Sequence, residues 1–158
     1  MTRVDFYDDP AAPRPTSLVP SSAAVVVDRE SLLMIHRVDN DRWAVPGGAV
    51  DLGESAADAA VRETREETGV EIEILGLVGI YTDPRHVMRY RDGEVRQQFS
   101  LCFRGRAVGG DLRPQPTEAR AVRWVPVDEL AALDIHPSMR VRIDHGLAWH
   151  VGDAAHVA

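Results

Sequence analysis

The chain has 158 residues, 44% of them hydrophobic and 27% charged, enough to fill one core and too few for two generous ones. Its formal net charge of -7 argues against loose, sequence-independent binding to a nucleic acid polymer, which draws on an excess of Lys and Arg over phosphate. No run approaches the roughly 18 consecutive apolar residues of a membrane span, and the first ten residues have neither a basic nor an apolar signal segment, so no membrane partner and a cytoplasmic location are expected.

Residues 1–17 are rich in Asp, Pro and Ala without a hydrophobic period, which predicts a flexible N-terminal arm, ordered if at all against a partner subunit; that leaves a homodimer open. The domain is expected over residues 18–150, with a C-terminal tail over 151–158. Ala23 to Val27 and Leu32 to Ile35 predict two strands joined by the polar turn Asp28-Arg29-Glu30. Trp43-Ala44-Val45 predicts a short strand, stopped by Pro46-Gly47-Gly48, which permits a sharp loop and close backbone approach. Ser55 with Asp58 resembles a capping box and Gly69 is a natural stop, so a helix is predicted between them. Its small or apolar positions Ala57, Val61, Thr64 and Thr68 form a face that can sit close to a sheet, and its acids lie on another face.

A strand is predicted over Val70 to Tyr81, then a polar loop at Asp83-Pro84-Arg85 and a hairpin with Asp92-Gly93 at its turn. On the returning strand Val95, Phe99, Leu101 and Phe103 point to the core, while Arg96, Gln98, Ser100 and Arg104 point to water. Gly109 to Pro116 reads as a loop, Val122 to Val125 as a short strand, and Val127 to Leu130 as the first turn of a short helix. Pro137 to His150 predicts a last helix, with Met139, Ile143 and Leu147 as its buried stripe and Gly146 as its weak point. The lone cysteine, Cys102, reads as a small sheet or core residue in reducing surroundings. Strands outnumber helices and the helices are well separated, which favours an α+β fold with a mixed β-sheet flanked by helices.

Charge along the chain points to chemistry. From Glu54 to Glu73 seven acids stand against Arg62 and Arg65, and from Pro84 to Arg106 six arginines stand against Asp92 and Glu94. Such a pair of blocks suits a bound cation beside a polyanionic ligand. Within the acidic block Glu63, Glu66 and Glu67 fall at i, i+3 and i+4, within roughly a 100° arc of one helix. Like charges at that spacing cost an isolated helix a few tenths of a kcal/mol per pair. With three carboxylates just after a Gly-Gly loop, a hard divalent cation held by oxygen ligands is the better account than a solvated face.

Gly48, Glu54, Arg62-Glu63, Glu66-Glu67 and Gly69-Val70 match the Nudix box: Gly, five residues, Glu, seven residues, then Arg-Glu-x-x-Glu-Glu-x-Gly-aliphatic. The chain thus resembles the Nudix hydrolases, with Thr64 at a position where that family usually has an aliphatic residue. Trp43 to Gly48 is similar to the family's strand and loop before the box, and Trp124 to Leu130 to its final strand and helix. The resemblance implies the family's α/β/α sandwich. It also implies a Mg²⁺ ion, with Mn²⁺ as an alternative, held by Glu63, Glu66, Glu67 and the carbonyl of Gly47, and a Glu54–Arg62 pair that fixes the helix start. Glu63 and Glu118 are the candidates for the general base; similar enzymes often supply an extra Glu from the loop before the last strand, where Glu118 lies. Arg37, Arg85, Arg96 and Arg104 are the candidate substrate contacts, with His86 beside them. Trp43 suits a base stack or a core position.

The expected activity is Mg²⁺-dependent hydrolysis of a phosphoanhydride in a small nucleoside diphosphate derivative such as ADP-ribose or a nucleotide sugar. The distance of Pro84 from the box is similar to that in ADP-ribose-cleaving members. Its rivals are a (d)NTP pyrophosphatase that removes oxidised nucleotides and a non-catalytic nucleotide-sensing domain. The second rival tends to lose the box carboxylates that this chain keeps.

Overall fold

In the computed structural model, which describes residues 2–158, strand β3 (Ser21–Asp28) runs through the middle of the fold. Its residues are small or β-branched on both sides, so Ala23 and Val25 pack into one apolar layer and Ala24 and Val26 into the other, all buried. The expected polar turn joins it to β4 (Ser31–Arg37), with Arg29 at φ 55. On its other side β3 pairs in parallel with β10 (Ser100–Gly110), which pairs antiparallel with β7 (Val70–Tyr81). The order β11-β4-β3-β10-β7-β12 makes a mixed sheet, where β11 is Ala119–Pro126 and β12 is His156–Val157. Two short strands join it: β5 (Trp43–Ala44) against β4, and β6 (Gly47–Ala49) against β3.

One helix covers each face. From α1 (Ala56–Thr68), Ala57, Ala60 and Val61 pack with Ala24, Val26, Ile72 and Phe103. From α2 (Pro137–Ala148), Met139, Ile143 and Leu147 pack with Val25, Val78, Tyr81 and Cys102. The α/β/α sandwich expected from the box is present, and a 3-10 helix (Val127–Ala132) stands where the short helix was expected. Among the described residues no helix is long and apolar enough to cross a membrane.

Three expectations need correction. The arm over residues 1–17 contains strand β1 (Arg3–Tyr7), which pairs with β8 (His86–Tyr90) of its own chain rather than waiting for a partner. With β9 (Val95–Gln97) and β2 (Ser17–Leu18) it forms a second sheet in the order β1-β8-β9-β2. The returning strand does not have one wet face: it breaks at 98–99, and Gln98 and Ser100 are buried because α2 and the second sheet cover that side. The Gly109-Gly110 stretch extends β10 instead of looping, since β7 is long enough for Gly110 to pair with Val70.

Gly146 is a close approach rather than a weak point. A Cβ there would lie 2.6–2.8 Å from side-chain atoms of Val25, which is fully buried. Gly146→Ala gains about 1 kcal/mol of helix propensity but overpacks a rigid core, at roughly 1–3 kcal/mol. The expected net result is a lower Tm, and a Tm above wild type would show that α2 can lift off β3 without loss.

Candidate active site

Helix α1 places the acids. Ser55 accepts a hydrogen bond from the Asp58 N–H at 3.1 Å, and the Asp58 carboxylate accepts from the Ser55 N–H at 3.4 Å, closing the capping box. Gly69 ends the helix in the left-handed conformation. Thr64 is tolerated in the apolar face because its hydroxyl donates to the Ala60 carbonyl at 2.7 Å. The acidic face is not a solvated one: Glu63 is 9% and Glu67 1% exposed. They point at the Gly47–Gly48 edge, where the Gly47 N–H donates to Glu67 Oε1 at 3.1 Å.

Glu118, from the loop before β11, joins these two, and each of the three offers a carboxylate oxygen within 4.8 Å of the others. Burial pushes the Glu67 carboxyl up to about 8, helped by the nearby Glu63 and Glu118 and opposed by Arg37 and the Gly47 N–H. Burial also raises Glu63, although Arg62 draws it down. Three carboxylates held this close, two of them shielded from water, form an oxygen donor set that fits a hard divalent cation. Glu66 is not in this set. One residue around the helix from Glu67, it is half-exposed and bonds to Arg62 at 3.2 Å.

Arg62 ties the set together. Its guanidinium donates to Glu54 at 2.6 and 3.0 Å, to Glu63 at 2.7 Å and to the Ala49 carbonyl at 3.1 Å. These bonds hold Glu54 down at about 2, so it stays ionised. The expected Glu54–Arg62 pair is thus formed. Gly48 is needed for space: a Cβ there would meet the Glu63 carboxylate at 2.6–2.8 Å. Gly48→Ala should leave the fold intact and weaken metal activation about 10–100-fold by displacing that carboxylate. Unchanged metal dependence of turnover would refute this.

Beside the carboxylates runs a cleft of about 140 Å³, bounded by Gly47 and Gly48 at one end. Its lining includes Arg3, Arg37, Arg42, Arg96 and Arg142 and, among the described residues, no Asp or Glu. Of the four predicted substrate arginines, Arg37 and Arg96 reach it. Arg37 is held by Asp39 at 2.7 Å, and Arg96 by Glu94 at 2.8 Å and over the Tyr90 ring at 4.5 Å. Arg85 is exposed on Asp83 and borders a different cavity. Arg104 donates to the Gly146 carbonyl at 2.6 Å, because its face of β10 lies under α2. Trp43 borders the cleft but is stacked on His36 at 5.0 Å.

The sequence reading missed Arg3, Arg42, His136 and Arg142, which also line the cleft. None falls in a motif. Arg3 and His86 both bond to Asp5, at 2.6 and 3.0 Å, and His86 stacks on His136 at 4.6 Å. Burial, with the neighbouring His86, pushes His136 down to about 4.

The chain is similar to known proteins in sequence and in fold. The chain is 37% identical over 105 residues to a putative 8-oxo-dGTP diphosphatase of Bacillus subtilis, covering 65% of this chain and 64% of that one. It is 34% identical over 92 residues to an ADP-ribose pyrophosphatase of Methanocaldococcus jannaschii, covering 56% of this chain and 51% of that one. The chain therefore spans less than two thirds of the length of either relative. In fold it is similar to a NUDIX hydrolase structure from Nitrosomonas europaea, with a TM-score of 0.70 at 19% identity over 91% of this chain and 79% of that one. The NUDIX domain model matches residues 18–145, which includes all of α1 and its carboxylates, and the chain belongs to that family.

Proposed function

We propose that the protein is a divalent-metal-dependent hydrolase that cleaves a phosphoanhydride bond in a small nucleoside diphosphate derivative of the ADP-ribose or nucleotide-sugar type. The observation that carries this reading is the convergence of Glu63, Glu67 and Glu118 beside an arginine-lined cleft. A phosphoanhydride is a polyanion that repels an incoming hydroxide, so it needs positive charge around its oxygens and a base next to the attacking water. A divalent cation, Mg²⁺ or in its place Mn²⁺, held by Glu63, Glu67 and Glu118 would supply charge and acidify water.

The chain's own groups complete the chemistry. Arg37 and Arg96 orient the phosphates, already fixed by their carboxylate partners. Arg62 keeps Glu63 and Glu54 in place. Of the two candidate bases, Glu118 is the better acceptor for the water proton, because Glu63 Oε1 already accepts from Arg62 at 2.7 Å. Water adds to one phosphorus, the bridging P–O bond breaks, and two phosphorylated products leave.

The likeness to a putative 8-oxo-dGTP diphosphatase favours a second reading, a (d)NTP pyrophosphatase. A substrate panel in Mg²⁺ with product analysis separates the two. ADP-ribose and nucleotide sugars should give two phosphorylated products with no pyrophosphate. Efficient release of pyrophosphate from dGTP or 8-oxo-dGTP alone would overturn the first reading in favour of the second. Binding without turnover of any member would favour a sensing domain.

A further inference from the structure

Of the five arginines that line the cleft, four face a carboxylate within 4 Å: Arg3 faces Asp5, Arg37 faces Asp39, Arg42 faces Asp134 and Arg96 faces Glu94. Arg142 makes no ion pair among the described residues, although it is only 7% exposed. Its contacts are neutral: Ser100 Oγ at 3.2 Å, Ser138 Oγ at 3.4 Å, and the Tyr81 ring at 5.7 Å. Its Nε has no hydrogen-bond partner among protein atoms. An uncompensated buried guanidinium is costly, because burial strips its water without supplying a counter-charge. A fold that only needed to fill this space would place an apolar side chain there.

A second observation lies against the same wall. Gln98 is 4% exposed, borders the cleft, and has a side-chain Nε2 without a partner, and the Nε of Arg96 is likewise buried and unpaired. Unsatisfied donors from β9, from the break that follows it and from α2 therefore line one acid-free cleft. Donors without acceptors in such a place are matched by an oxyanion, which has several lone pairs and a compensating charge.

Sheet register sets the distance from the carboxylates. Ser100, which bonds Arg142, pairs with Ser21, and Ser21 pairs with Ala49, next to Gly48. Two strand spacings, about 10 Å, separate Ser100 from Ala49. The two phosphorus atoms of a diphosphate share a single oxygen, so a diphosphate seated on the carboxylates does not span that gap. The anion at Arg142 sits beyond a spacer.

We propose that Arg142, with Gln98 and Ser100, forms a second anion subsite that takes a phosphate or carboxylate carried on the far end of the substrate. This rests on the hydrolase reading for its substrate class: a nucleoside diphosphate derivative whose end group bears its own negative charge.

The subsite itself is tested without catalysis. With EDTA present, inorganic phosphate should raise the Tm of wild type and of Glu67→Gln by mass action on the folded state. It should do so far less in Arg142→Gln. No rise in wild type, or an equal rise in Arg142→Gln, would overturn the subsite. If Arg142→Gln does not fold, Gln98→Leu, which keeps the volume, should weaken the phosphate response severalfold, and an unchanged response overturns the proposal.

Turnover then identifies the anion. UDP-glucuronate against UDP-glucose tests a carboxylate, and ADP-ribose with a phosphate on its terminal ribose against plain ADP-ribose tests a phosphate. In wild type one charged member should have a KM lower than its neutral pair by about tenfold or more. That preference should shrink in Arg142→Gln. Equal KM values in both pairs would overturn the substrate assignment. A phosphate response that persists with no turnover of any panel member would leave the subsite standing and defeat the hydrolase reading instead.

Discussion

Glu67→Gln should lower metal-dependent turnover by at least about 10²-fold, because it removes one charge from the donor set at its most buried point. The variant should still fold. Gln has nearly the same shape, and its carbonyl oxygen can keep accepting from the Gly47 N–H. Saturating Mg²⁺ should raise the wild-type Tm by mass action and raise that of the variant far less. Normal turnover in a well-folded Glu67→Gln, with an equal Mg²⁺ response in both proteins, would mean that the carboxylates serve some other purpose.

The same group gives the metal-free protein an unusual pH dependence. In the folded state the Glu67 carboxyl is raised to about 8, well above its usual range, chiefly by burial. A raised acid binds its proton more tightly folded than unfolded, so its contribution to stability is complete below about pH 4.5 and is lost as pH rises through 8. In EDTA the wild-type Tm should therefore fall between pH 5 and 8, by roughly 2–4 °C for each kcal/mol lost. Glu67→Gln should fall less across that window and match or exceed wild type at pH 8. Added Mg²⁺ should flatten the wild-type curve, since a cation replaces the proton as the compensating charge.

How much of this could be read from sequence varies by element. The whole of α1 was legible, because its capping residues, its Gly stop and its acid spacing are all local signals that a helix of 3.6 residues per turn converts directly into geometry. Glu118 was half-legible: its place ahead of the last strand was readable, but its meeting with Glu63 and Glu67 depends on β11 pairing with β4. Glu66 shows the limit of spacing arguments. An i+3 neighbour shares the broad face, yet only the pair at i and i+4 is buried against the sheet, while Glu66 stands half-exposed on Arg62. The arginines were least legible. All six of the basic block look alike in sequence, and what separates Arg96 from Arg104 is which cover lies over that part of the strand, the second sheet or α2. Arg142 carries no local signal at all, since a charged residue one step from Ile143 reads as the wet side of an amphipathic helix.

Removing residues 1–17 should cost both stability and substrate affinity, the reverse of what the composition of that segment implies. Strand β1 carries Asp5 inward, where its carboxylate accepts from Arg3 at 2.6 and 3.1 Å, from His86 at 3.0 Å and from Asn40 at 3.3 Å. Burial alone would raise this carboxyl, but the bonds from His86 and Arg3 outweigh it and hold it far below the usual carboxylate range. Breaking a buried charge network by taking one partner costs about 3–5 kcal/mol. Asp5→Asn should thus lower Tm by roughly 6–20 °C at neutral pH. A depressed acid contributes stability above its unfolded pKa, and the contribution is lost as pH falls toward the folded value. The gap between Asp5→Asn and wild type should therefore narrow below about pH 4. Arg3, His86, Met88 and Tyr90 all line the cleft, so a chain starting at Leu18 should also show a raised KM for its best substrate. Wild-type Tm and KM in that truncated chain would show that the second sheet holds its shape without β1. The charge network around Asp5 argues against that outcome, because His86 would lose both its carboxylate partner and the strand paired with it.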